Sequence, residues 1–244
     1  MAAASKPAKY EFQTPPLVQI ALPDADIDVW AMRLDLTSDQ VQLRMQLLSD
    51  DEASRAARFH FERDRRRFIV ARSTLRMLLG EYLGTVPTAI KFTYGAAGKP
   101  EIAPGGGSFH FNLSHSSERA LIGISSSRPL GVNIEYLHRE IDHRALSERF
   151  FSHAECAALD LLPEHARKRL FFSYWTRKEA VAKACGEGLS LPFERLNVAI
   201  PPGSSSDLSA TVVVREHDRV WRICATEVSD DYIAAIATTI TEDL

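Results

Sequence analysis

The chain has 244 residues, of which 45% are hydrophobic and 25% charged, the composition of a globular protein with ample apolar material for a core. Its formal net charge of −3 argues against a general polyanion binder, and no apolar run reaches the roughly 18 residues that a membrane-spanning helix needs. The three cysteines, Cys156, Cys185 and Cys224, are widely spaced without a metal-binding pattern, which favours a reducing, cytoplasmic compartment and no disulfides.

The pattern of the first half predicts helices followed by strands. Residues 1–16 are rich in Ala, Pro and Lys and predict a flexible tail rather than a signal peptide. Thr37 or Ser38, and then Ser49, have the side chains that begin helices. Helices are therefore predicted towards Leu48, from Ser49, and over 63–82, the last ending near Gly84. Strands are predicted over 28–36, 90–94, 109–113 and 120–125.

The second half repeats that order after a further strand at 130–136. Helices are predicted over 142–149, 152–161 and 164–185. Strands are predicted over 196–200, 211–215, 220–227 and 232–239, with a loop over 201–207. Because the order of elements occurs twice, we expect an α+β protein of two similar α/β halves, residues 17–128 and 129–244.

A carboxylate and an ammonium lie four residues apart at Glu179 and Lys183, inside a predicted helix that follows an aromatic block. Residues four apart share one helix face. A carboxylate can bind a metal or accept a proton, and an ammonium can stabilise a leaving phosphate. Considered alone, the two residues favour a surface ion pair that contributes about 0.2–0.5 kcal/mol.

Two further segments carry groups suited to phosphate. In Gly98-Lys99-Pro100 a stiff turn holds a lysine in place. Ser114 and His115 end an apolar strand, where hydroxyl, imidazole and backbone N–H groups can bind phosphate oxygens. A Ser–His hydrolase is disfavoured because adjacent strand residues point to opposite faces and no G-x-S-x-G motif is present. Ordinary surface positions are the alternative for both segments.

A fourth segment carries oxygen ligands on one face of a predicted strand. Asn133 and Glu135 share that face, while Val132 and Ile134 point towards the core. Amide and carboxylate oxygens suit Mg²⁺, which usually also keeps waters and substrate phosphates. Combined with the lysines, this face predicts a metal-assisted site for a multiply phosphorylated substrate.

The order of these motifs resembles the surfactin-synthetase-type 4′-phosphopantetheinyl transferases. The resemblance covers about residues 49–191 and rests on Gly98-Lys99-Pro100, Asn112-Leu113-Ser114-His115-Ser116, Gly131-x-x-x-Glu135, Phe150-Phe151-Ser152 with Glu155, and Trp175-Thr176-x-Lys178-Glu179-Ala180-x-x-Lys183. It implies a monomer of two halves packed with pseudo-twofold symmetry, with coenzyme A in the cleft between them. It also implies transfer of the phosphopantetheine arm of coenzyme A to a serine of an acyl or peptidyl carrier protein, releasing 3′,5′-ADP.

The resemblance also implies roles for individual residues. Glu135 and Glu179 would bind Mg²⁺, with Asn133 as the third ligand. Glu179 would in addition be the base that activates the carrier serine, and Lys183 would stabilise the pyrophosphate. Contacts to coenzyme A are implied for Arg55, Arg67, Lys99, Pro100, Ser114, His115 and Lys183.

One position departs from the family pattern, which has aspartate where this chain has Asn133. An amide oxygen can coordinate Mg²⁺ but lacks a formal charge. We therefore expect weaker metal binding than in a relative with aspartate.

Two other functions are alternatives to the transferase. A nucleic-acid-binding module would use the arginine-rich stretch 55–76, but one basic helix in a chain of net charge −3 supports it poorly. A degenerate, non-catalytic relative that binds coenzyme A or carrier proteins is favoured only by Asn133. The presence of Glu135, Glu179 and Lys183 opposes it.

Overall fold

The computed structural model describes residues 17–22, 26–200, 211–216 and 218–240. The predicted tail at 1–16 and the predicted loop at 201–207 lie outside these residues. The helices are α1 Ser38–Met45, α2 Asp50–Ala57, α3 Glu62–Leu83, α4 His143–Phe150, α5 His153–Asp160 and α6 Glu164–Cys185. The strands are β1 Val18–Ile20, β2 Ile27–Arg33, β3 Phe92–Tyr94, β4 Pro100–Ile102, β5 His110–Ser116, β6 Arg119–Ser125, β7 Leu130–Tyr136, β8 Val212–Glu216, β9 Arg219–Ser229 and β10 Tyr232–Ile240.

The predicted helix ends are confirmed where capping residues mark them. Thr37 begins α1 with a capping box, and the Ser49 N–H donates to the Glu52 carboxylate at the start of α2. Gly84 and Gly186 end the two long helices in the left-handed conformation, with φ of 62° and 81°.

The strand predicted over 196–200 is wrong, and two short strands, β1 and β4, were not predicted. Leu196, Val198 and Ile200 alternate in sequence and are buried, as in a strand. Their backbone groups, however, pair with side chains. The Leu196 carbonyl accepts from the Lys178 ammonium, and the Val198 N–H donates to Glu155. The segment is buried without joining a sheet.

Two antiparallel four-stranded sheets form the framework, and their inner faces pack together. Their strand orders are β1-β2-β6-β5 and β7-β10-β9-β8. Helix α3 covers the outer face of the first sheet, and α6 covers the outer face of the second. A third apolar cluster from β2, β6, β7 and β10 lies between the sheets, and it includes Val132 and Ile134 as predicted. The α+β architecture expected from the sequence is therefore confirmed.

None of the helices within the described ranges is both long and apolar enough to span a bilayer.

The edge strands β5 and β7 are joined by side chains instead of a backbone ladder. The backbone N–H groups of Val132, Ile134 and Tyr136 donate to side-chain oxygens of β5, at 2.9, 3.4 and 3.0 Å. The acceptors are, in the same order, Asn112, Ser114 and Ser116. We call this row of bonds the seam; it crosses from one half of the chain to the other.

Gly131 allows α6 to lie directly against β7. A Cβ added at this glycine would stand 2.0 Å from the Ala180 carbonyl oxygen and 2.4 Å from the Ala184 nitrogen. Both are backbone atoms of one helix, so neither can move aside alone. Asn133 and Glu135 follow on the same face of β7 and consequently lie beneath α6.

We predict that Gly131→Ala lowers the free energy of unfolding by about 1–3 kcal/mol, because α6 must shift away from β7. Urea denaturation measures the change. The matched control is Gly95→Ala, whose added Cβ would have its nearest neighbour, the Lys99 carbonyl oxygen, at 3.8 Å. Equal losses in the two variants would contradict the close-approach argument.

Candidate functional site

Three polar atoms form a closed triangle where α6 crosses the seam. The Lys183 ammonium donates to Ser114 Oγ at 2.9 Å and to Asn133 Oδ1 at 2.7 Å. Ser114 Oγ in turn donates to the same Asn133 oxygen at 2.9 Å. The three residues come from α6, β5 and β7, so this point joins the two halves of the chain. The prediction that they lie close together is confirmed.

Two carboxylates stand beside this triangle. Glu179 Oε2 lies 3.8 Å from Lys183 Nζ, as expected for residues four apart on one helix. Glu135 is buried and accepts from Ser116 Oγ at 3.0 Å, and it has Arg139 Nη1 at 3.8 Å. The charge of Glu179 acts on Glu135, so the two carboxylates lie near each other, and each has a cation 3.8 Å away.

Burial shifts the pKa values of Glu135 and Lys183 in opposite directions. Burial, and then the charge of Glu179, raise the pKa of Glu135, although Ser116, Arg139 and Lys183 act against the shift. Burial lowers the pKa of Lys183, and Glu179 and Glu135 oppose that change. Both shifts indicate groups whose charge is incompletely compensated by protein atoms.

The site fits a hard cation at its carboxylates but not at the amide oxygen. Glu135 and Glu179 supply the oxygen ligands that Mg²⁺ prefers. The Asn133 oxygen already accepts two hydrogen bonds. Among the described residues, no three His, Cys, Asp or Glu side chains come together in a metal-binding group.

His115 lies on the opposite side of β5 from Ser114, as the strand pattern predicts. Its side chain is exposed, and its pKa is lowered, first by loss of solvation and then by the charges of Lys183 and Arg67. Arg67, on α3, lies 3.7 Å from Glu118. His115 and Arg67 therefore lie near Lys183, and the lowered pKa leaves His115 uncharged near neutral pH.

Lys99 lies apart from the triangle, near the start of β7. Its ammonium donates to the carbonyl oxygens of Leu130 and Ala184, both at 3.2 Å, and burial lowers its pKa. It thus ties the predicted turn to the start of β7 and the end of α6. With Pro100 it also lines a cavity of about 450 Å³ that includes residues of both halves.

The arginine-rich stretch divides into exposed and buried members. Arg55 is exposed and lies over the Phe68 ring, 5.4 Å from its centroid. Arg72 and Arg76 are buried and share the two carboxylate oxygens of Glu52. Two arginines of this stretch therefore hold the first half together, which weakens further the case for a nucleic-acid-binding helix.

Sequence reasoning missed three residues of the site. Asn112 and Ser116 belong to the seam, and Arg139 flanks Glu135. A signal for the first two exists in the sequence: polar side chains at 112, 114 and 116 alternate with Phe111 and Leu113. Alternation of this kind usually indicates a solvated face, whereas here all three side chains are buried.

Comparison with known proteins matches both halves of the chain. The family described as "4′-phosphopantetheinyl transferase superfamily" matches residues 129–237, and "4′-phosphopantetheinyl transferase, N-terminal" matches residues 35–127. The 4′-phosphopantetheinyl transferase HetI of Nostoc sp. is 36% identical, covering 87% of this chain and 87% of the relative. Two Bacillus subtilis transferases, ffp and Sfp, are 30% and 28% identical; they cover 82% and 68% of this chain, and the matches span 86% and 72% of the relatives.

Three residues of the family motifs belong to the core or pack against it. Lys178 is fully buried, lies 2.8 Å from Glu155 and donates to the Phe193 carbonyl at 2.6 Å. Phe151 is buried and packs against α6, and Phe150 is half-buried between Trp175 and Phe193. Both phenylalanines therefore pack in or against the core of the second half.

We predict that Lys178→Ala lowers the free energy of unfolding by about 3–5 kcal/mol, because Glu155 is left buried without its cation. Chemical denaturation followed by circular dichroism measures the loss. Lys91→Ala is the control, since Lys91 is exposed, and it should change stability by less than about 0.5 kcal/mol. A loss at Lys178 no larger than at Lys91 would show that the buried pair is not required.

Proposed function

The chain belongs to the 4′-phosphopantetheinyl transferase superfamily, and we propose that its reaction takes place where Lys183, Glu135 and Glu179 meet at the seam. The enzyme transfers the 4′-phosphopantetheine arm of coenzyme A to a serine of a carrier protein and releases 3′,5′-ADP. The single observation that supports this location is the lysine held by Ser114 and Asn133 beside two carboxylates.

The residues divide the chemistry between them. The carrier serine oxygen attacks the β-phosphorus of coenzyme A, and the bond from that phosphorus to the bridging oxygen breaks, so the electrons leave with 3′,5′-ADP. Glu179 accepts the serine proton. Lys183 donates to a pyrophosphate oxygen and offsets the charge that develops on the leaving group. A base and a cation on one helix face are thereby fixed at a constant separation.

A magnesium ion is proposed to be held by Glu135 and Glu179. When bound, it would polarise the pyrophosphate and neutralise part of its charge. Burial, and then repulsion from Glu179, raise the pKa of Glu135, which supports a cation beside the two carboxylates. A cation there would relieve the same repulsion.

Coenzyme A is proposed to lie along the cleft between the halves. Ser114 and His115 would contact its phosphates, and Arg55 and Arg67 would face the adenosine 3′-phosphate. The cavity lined by Lys99 and Pro100 has the volume of an ordinary small-molecule site. Because Lys99 donates two of its three N–H groups to backbone carbonyls, it has a single donor for a phosphate.

The acceptor is proposed to be an acyl, polyketide or peptidyl carrier domain, and the enzyme a surfactin-synthetase-type member acting as a cytoplasmic monomer. The motif order supports the subfamily, and the three free cysteines support a reducing compartment. Leu161, which is 86% exposed between α5 and α6, offers an apolar contact for a carrier.

Mass spectrometry of carrier proteins incubated with enzyme, coenzyme A and Mg²⁺ tests the proposal. Wild-type enzyme should add one phosphopantetheine arm to at least one carrier of a fatty-acid, polyketide and peptide-synthetase panel. Glu179→Gln should abolish the added mass without unfolding the protein, because an amide cannot take the serine proton.

Glu164→Gln is the matched control, since Glu164 is the other glutamate of α6. It pairs with Arg167 at 3.0 Å on the exposed surface, an interaction that contributes at most about 1 kcal/mol. This variant should modify the carrier at the wild-type rate. Full activity of Glu179→Gln would refute the assignment of the base.

A further inference from the structure

We propose that Asn133 acts as a positioning residue for Lys183 and not as a ligand of the metal. The proposal rests on the proposed function, because it concerns a residue of the same site. It differs from the expectation drawn from the sequence, in which residue 133 is the third metal ligand.

The hydrogen bonds of the Asn133 oxygen support this role. An amide oxygen has two lone pairs. Oδ1 accepts from Ser114 Oγ at 2.9 Å and from Lys183 Nζ at 2.7 Å, so both lone pairs are in use. A metal could bind this oxygen only after one of the two donors had left.

The orientation of the amide follows from the same contacts. If the amide were rotated by 180°, its NH₂ group would face the Lys183 ammonium, and two donors would meet. In the orientation described, Nδ2 is buried and has no hydrogen-bond partner. A buried donor without a partner costs free energy. The hydrogen bond from Lys183 therefore stabilises this orientation by more than a partner for Nδ2 would stabilise the rotated one.

The triangle also explains how a flexible side chain keeps one position. A lysine side chain has about four rotatable bonds and loses much rotamer entropy when it is fixed. Lys183 makes two of its three possible N–H bonds to Ser114 and Asn133. The remaining direction lies towards Glu179, at 3.8 Å, where the pyrophosphate is proposed to bind.

The metal is consequently assigned to Glu135 and Glu179 alone among the side chains. Neither carboxylate accepts the two hydrogen bonds that occupy the Asn133 oxygen. Glu135 uses one of its oxygens to accept from Ser116. Mg²⁺ commonly binds through one or two carboxylates together with substrate phosphates and water. Two side-chain ligands therefore suffice for this ion.

The first test separates metal binding from turnover. The melting temperature is measured with saturating coenzyme A, with and without Mg²⁺, because a ligand that binds the folded state raises it. Asn133→Ala should show the same Mg²⁺-dependent rise as wild type, whereas Glu135→Gln should show none. Loss of the rise in Asn133→Ala would overturn the proposal, because it would identify Asn133 as a metal ligand.

The second test asks whether Asn133 acts through Lys183. Asn133→Ala should lower kcat by about 10- to 100-fold, the effect of removing a hydrogen bond to a charged group, without changing the half-saturating Mg²⁺ concentration. The double variant Asn133→Ala, Lys183→Ala should be no slower than Lys183→Ala alone. Unchanged kcat in Asn133→Ala, or independent losses that multiply in the double variant, would refute the positioning role.

Controls exclude a general loss of structure. Asn197→Ala removes an exposed amide that is not part of the site, whose oxygen accepts from the Ala199 N–H at 3.1 Å, and it should keep kcat within about twofold of wild type. If Asn133→Ala does not fold by circular dichroism, Asn133→Ser replaces it, because serine is too short to reach Lys183. A wild-type enzyme that modifies no carrier would instead count against the proposed function.

Discussion

The seam is the interaction on which both the fold and the site depend. It joins two sheets whose edge strands face each other without backbone pairing, so side chains must satisfy the exposed N–H groups of β7. Ser114 and Ser116 accept these N–H groups and also donate to Asn133 and Glu135. The same hydroxyls therefore hold the halves together and orient the polar residues of the site. A site built in this way is complete only when the halves are docked.

The elements that sequence patterns predicted best are those whose ends are marked by local chemistry. Helix α6 begins and ends at the predicted residues, because Pro163 precedes it and Gly186 stops it in the left-handed conformation. The strand predicted over 196–200 failed for a tertiary reason. Lys178 and Glu155 bind its backbone groups, and nothing in the local pattern reveals that partners 15 or more residues away replace a neighbouring strand.

The grouping of site residues was predictable in part because strand and helix periods alone place residues on a common face. Asn133 and Glu135 share a strand face, and Glu179 and Lys183 share a helix face. What each residue does was less accessible. Lys178 and Lys183 are both lysines of one helix, yet one is buried against Glu155 and the other reaches the seam. Their difference arises from which face of α6 packs on β7, and that depends on the close approach at Gly131.

The neutral side chain at Asn133 alters the charge balance of the site. With asparagine, the carboxylates of Glu135 and Glu179 face the cations of Lys183 and Arg139, and the four formal charges cancel. With aspartate in its place one negative charge would be left over, and the carboxylate beside Lys183 would bind that lysine as an ion pair. Burial already raises the pKa of Glu135, so a third nearby carboxylate would increase the repulsion in the absence of metal. Asparagine lowers that repulsion and keeps an oxygen for Lys183, which fixes the lysine before any cation binds.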